Sequence, residues 1–282
     1  MTAITTDQAR PGTGTRRRAR AGLAGTLRSE LTKIRSVRST YWALTLLVLA
    51  SLAWSIAYCA GTASHWSQTA AQSRAGFDPT QSSVIGLVLL GQLVIVVLGA
   101  LTITGEYSTQ AVRTSLTVMP RRGVLYGAKA AVLAAVAIAV AFPASFLSFF
   151  TGQELLASTH AGATLSQPRV LQSIMISAMF VVLCGLFSYG IGLAVRNTAG
   201  TITAVYGFLF LLPQLARALP TAWNADLIRW LPGDQFDAVL TSTQSRPVSP
   251  YMFSAWGELA VFGGYTVVAL VAGAILLRRR DA

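Results

Sequence analysis

From Leu23 onward an apolar residue recurs at every third or fourth position: Leu23, Leu27, Leu31, Ile34 and Val37. That spacing predicts one stripe of an amphipathic helix over 23–39, with Arg28, Thr32 and Arg35 on the opposite side. Beyond it the periodicity gives way to continuous apolar runs at 40–61, 83–104, 124–151, 170–195, 198–212 and 258–277. A helix needs about 20 apolar residues to cross the hydrocarbon layer, so these runs predict six spans. The Tyr41–Trp42 pair opens the first at a membrane interface. Pro143 predicts a kink in the third, Pro213 bounds the short fifth, and Arg278, Arg279 and Arg280 close the sixth. The expected fold is an all-α membrane protein. It has six transmembrane helices, preceded by a basic amphipathic helix lying in the interface. Residues 1–22, rich in Thr, Gly, Arg and Ala, read as a disordered basic tail.

Composition agrees with the pattern. Of 282 residues 53% are hydrophobic and 11% charged, against about 25% charged in soluble domains. The net charge of +12 does not point to nucleic acid, because the basic residues cluster at the ends of the apolar runs. With the N-terminus cytoplasmic, 17 of the 22 Lys and Arg residues fall in inside segments, and six spans return the C-terminus to the same side. The expected arrangement is a multi-pass membrane protein with both termini cytoplasmic. Two connections on the opposite side, 62–82 and 152–169, are short and polar. The third, 213–257, carries Trp223, Leu227, Trp230, Leu231 and Phe236 and is expected to dip back into the interface.

Residue supply excludes much chemistry. His65 and His160 are the only histidines, and both fall in loops, so no HExxH helix or metal-binding His cluster exists. Cys59 and Cys184 lie singly inside apolar runs, as small packing residues rather than a zinc site or disulfide framework. There is no GxSxG elbow and no GxxxxGK[ST] phosphate loop, so the chain is expected not to be an enzyme in its own right. No ionisable residue falls in the middle of a span, and Gln92 and Gln172 are the largest polar groups inside. Ion-coupled transport is disfavoured on that ground. Glu30 is the one charge inside the apolar stripe of the first helix. It either reaches water or Lys33, or accepts a basic group from a neighbouring element.

The densest polar constellation joins the second and third runs. Glu106 ends the second run. Val112, Leu116 and Met119 then make one side of a short helix near 107–119, which Pro120 stops. Arg113, Arg121 and Arg122 flank it, and Lys129, one turn into the third run, is placed to snorkel to the surface. Such a helix, held between two spans, suits docking into another protein's groove.

This run resembles the first cytoplasmic loop of the permease subunits of type-two ABC exporters. The residues that carry the likeness are Glu106, Arg113, Leu116, Pro120, Arg121 and Lys129. Gln110 stands where many relatives have Gly. The opening Leu27–Ser36 segment, with Glu30, Lys33 and Arg35, resembles the elbow helix before the first span of bacterial members. The resemblance implies a transport subunit for a drug-, lipid- or glycan-like amphipathic cargo. It implies a separate ATPase that binds ATP and magnesium, a second permease copy or paralogue, and no cofactor, metal or nucleic acid in this chain. A transporter or channel needing no ATPase, or a membrane sensor or scaffold, is the alternative class.

Overall fold

The computed structural model describes residues 23–36, 38–108, 122–220, 227, 230–231 and 254–280. The chain is an all-α membrane protein, with six helices long and apolar enough to cross a membrane and no strand among the described residues. Helix α1 (Leu23–Ser36) precedes α2 (Arg38–Ser64), the first span. After the short α3 (Ala71–Ala75), the second span is built from α4 (Pro79–Gly86), a π-helical turn at Leu87–Gly91, and α5 (Gln92–Ser108). Next come α6 (Arg122–Leu156) and α7 (Val170–Val195). The fifth span joins α8 (Thr198–Tyr206), a second π-helical turn at Gly207–Leu211, and α9 (Leu212–Arg217), and α10 (Ala255–Arg280) is the sixth.

Helix α7 is the axle of the bundle, and 67% of its apolar window is buried inside the chain, against 22% for α2. It packs on α5, α6, α8 and α10. Paired contacts advance together along spans two, four and six, which therefore run parallel: Gln92 lies by Cys184 and Ile103 by Gly192, while Phe180 meets Phe262 and Gly190 meets Gly273. Lipid offers no hydrophobic drive between helices, so close approach and interhelical hydrogen bonds do the joining. A Cβ built on Gly190 would stand 2.8 Å from the backbone of Ala269 and Leu270, and one on Gly99 would collide with the Gly185 carbonyl. Ser188 donates to the Val96 carbonyl (2.7 Å), Ser55 to that of Ser148 (2.7 Å), and Ser145 to that of Ile174 (2.9 Å).

Several boundaries depart from the sequence expectation. The second span begins at Pro79 rather than 83, because the buried Asp78 caps it, accepting from the amides of Thr80 and Gln81 (both 2.9 Å). Pro79 costs nothing at the first helical position, where no amide partner exists. The third span continues across Pro143 to Leu156. Pro213 does not end the fifth span, which runs to Arg217. The π-helical turn just before it widens the coil where the proline ring would otherwise strike the carbonyl four residues back. The connection before the second span is folded: Arg74 donates to the carbonyls of Ser67 (2.7 Å) and Thr69 (2.9 Å), and Trp66 meets Phe77 edge-on at 5.3 Å.

Candidate functional site

The expected site lies at the end of the bundle that carries α1. Of its residues, Arg113, Leu116, Pro120 and Arg121 lie outside the described residues, as does most of the expected short helix at 107–119. The expected re-entrant region is described only at its two ends and at 227 and 230–231. Glu106, Lys33 and Arg35 sit in helices α5 and α1, and their side chains lie outside the described residues.

Glu30 and Lys129 are brought together. The Lys129 ammonium donates to a Glu30 carboxylate oxygen at 2.7 Å, and the two side chains are 2% and 5% exposed for Glu30 and Lys129 respectively. Lys129 therefore does not snorkel. It points inward and pins α1 against the first turns of α6. Glu30 takes its basic partner from another element, 99 residues away. Each charge alone would be costly at this depth, and together they offset one another. A buried ion pair adds little net stability over an apolar pair. What such a pair can supply is register, since sliding α1 along α6 by a turn would separate the two charges.

Two further clamps lie at the same end. The Tyr189 hydroxyl of α7 donates to the Tyr126 carbonyl in the first turn of α6 (3.1 Å). Buried Thr104 of α5 shares a 2.7 Å hydroxyl hydrogen bond with Thr198 of α8. The turn between α7 and α8 is tight. Arg196 takes a left-handed conformation (φ 58°) and its amide closes on the Gly192 carbonyl (2.9 Å), then Asn197 caps α8 by accepting from the Gly200 amide (2.8 Å). The segment 109–121 is thus strung between Ser108 and Arg122, on two helices whose ends are each tied to a neighbour.

A second polar group sits halfway along the spans. Gln92, buried directly after the π-helical turn of the second span, faces Cys184, whose sulfur lies 3.9 Å from the amide oxygen. Tyr206, directly before the other π-helical turn, donates its hydroxyl to the Leu93 carbonyl (2.8 Å). No group of three or more His, Cys, Asp or Glu suited to a metal occurs among the described residues.

Sequence reasoning missed Glu258. It marks the start of an apolar run, yet in α10 it is 5% exposed, and neither carboxyl oxygen has a hydrogen-bond partner among the described residues. Its one visible signal was an acid in the first turn, which also suits an ordinary helix start. No known family model matches the sequence, and no curated protein matches it.

Proposed function

We propose that this chain is the membrane-spanning permease subunit of an ATP-driven exporter of the type-two ABC class. In this reading both termini are cytoplasmic, the host is a bacterial cytoplasmic membrane, and the cargo is amphipathic. A separate ATPase docks on the segment between Glu106 and Lys129, and a second permease copy or paralogue completes the channel. The chain itself carries no phosphate-binding loop, so the work must come from that partner.

The observation that supports this reading most is the Glu30–Lys129 pair. Two stretches resemble the exporter class separately, the elbow-like segment holding Glu30 and the loop run that Lys129 ends. A buried 2.7 Å ion pair joins them at the base of the proposed docking segment. Transmission between a docking site and the spans needs a continuous physical linkage with discrete arrangements. In this reading the linkage is made by the Glu30–Lys129 pair and the Tyr189–Tyr126 and Thr104–Thr198 hydrogen bonds. The experiment is co-purification: Arg113→Glu should abolish recovery of an ATPase subunit with the tagged chain while insertion into membranes stays intact. Undiminished recovery would sink the docking role of this loop.

A further inference from the structure

Between Asp7 and Asp78 the only acid is Glu30, while nine Lys and Arg residues lie from Arg10 to Arg38. The buried 2.7 Å pair balances Glu30 with Lys129 of α6. With that pair neutral as a whole, the stretch keeps its nine positive charges.

The same pair orients α1. Arg28 stands two residues before Glu30, about 200° around a helix, so turning Glu30 inward turns Arg28 away from the bundle, and it is exposed. Leu27 and Leu31 are half-buried, and Thr32 is exposed beside Arg28. The start of α2 marks the level of the lipid headgroups. Tyr41 and Trp42 are 54% and 73% exposed, and such rings settle at the membrane–water boundary. Arg38, also exposed, lies one turn before them. Arg16, Arg17, Arg18 and Arg20 stand within seven residues of Leu23, so the chain holds them within about 25 Å of the start of α1. Basic residues crowded against the end of a span meet the headgroup layer first, and phosphate groups there carry the complementary charge.

We propose that the basic stretch from Arg10 to Arg38, oriented by the Glu30–Lys129 pair, binds anionic phospholipid headgroups of the leaflet on the α1 side. This does not rest on the exporter reading, because it needs neither an ATPase nor a cargo. The test titrates phosphatidylglycerol and phosphatidylcholine into the full-length chain in neutral detergent and counts bound lipid by native mass spectrometry. Each basic group near an anionic surface is worth about fivefold in partition, and ordering the chain offsets part of the product. The unaltered chain should therefore bind phosphatidylglycerol at least about tenfold tighter than phosphatidylcholine, and high salt should erase the difference. The variant Arg16→Gln/Arg17→Gln/Arg18→Gln should lose most of that preference, and Arg28→Gln/Arg38→Gln part of it. Arg169→Gln, an exposed arginine at the opposite end of the bundle, should keep it. Equal binding of the two lipids by the unaltered chain would overturn the proposal, with no variant needed. So would a triple variant that keeps the full preference, which would place the anionic selectivity elsewhere on the chain. Capture of an RNA oligonucleotide that phosphatidylglycerol fails to displace would also overturn it, and would assign the stretch to nucleic acid instead.

Discussion

Replacing Lys129 with Met leaves the Glu30 carboxylate buried beside a thioether. Removing one partner of a buried ion pair costs about 3–5 kcal/mol. At the low end of that range the loss is about 3 kcal/mol. Those 3 kcal/mol fall on the seat of α1. A 14-residue helix is marginal on its own, so an undocked α1 also loses its backbone hydrogen bonds. At about 1.4 kcal/mol per decade, amide hydrogen exchange across α1 should speed up about a hundredfold. The α7 amides, buried at the centre of the bundle, should be unaffected. In Glu30→Leu/Lys129→Met neither charge is stranded, and exchange should stay within about tenfold of the parent. If the single and double variants exchange equally fast, or if Lys129→Met matches the parent, the ion pair does not seat α1.

Gly190→Ala puts a methyl against the backbone of α10 and should destabilise the extracted protein by about 1–3 kcal/mol in denaturant unfolding. Gly127→Ala, where an added Cβ meets nothing within 4 Å, should leave it unchanged or slightly raised. Asp78→Ala removes the acceptor for the Thr80 and Gln81 amides and should cost about 1–2 kcal/mol, read as faster exchange confined to the first turn of α4.

The spans were legible because lipid forces the signal: each stretch must satisfy its own backbone over about 20 residues, and only apolar runs do so. Boundaries were legible to within a few residues where they rest on composition, and less where they rest on local geometry. Pro213 reads as a stop from its own chemistry, and only the neighbouring π-helical turn, which has no sequence mark, lets the helix pass. Glu30 was visible as an anomaly, a charge in an apolar stripe, but its partner stands 99 residues away and periodicity within one element carries no information about that distance. Glu258 was invisible for a related reason. An acid in a helix's first turn is ordinary, and its burial comes from tertiary packing that the local pattern of residues does not encode.

The central claim is that the work of transport enters from outside this chain. The direct measurement is reconstitution into sealed vesicles, with and without a co-purified ATPase, following a labelled amphipathic cargo against its gradient. The account predicts ATP-dependent accumulation only when both subunits are present. Uphill movement by this polypeptide alone would contradict it.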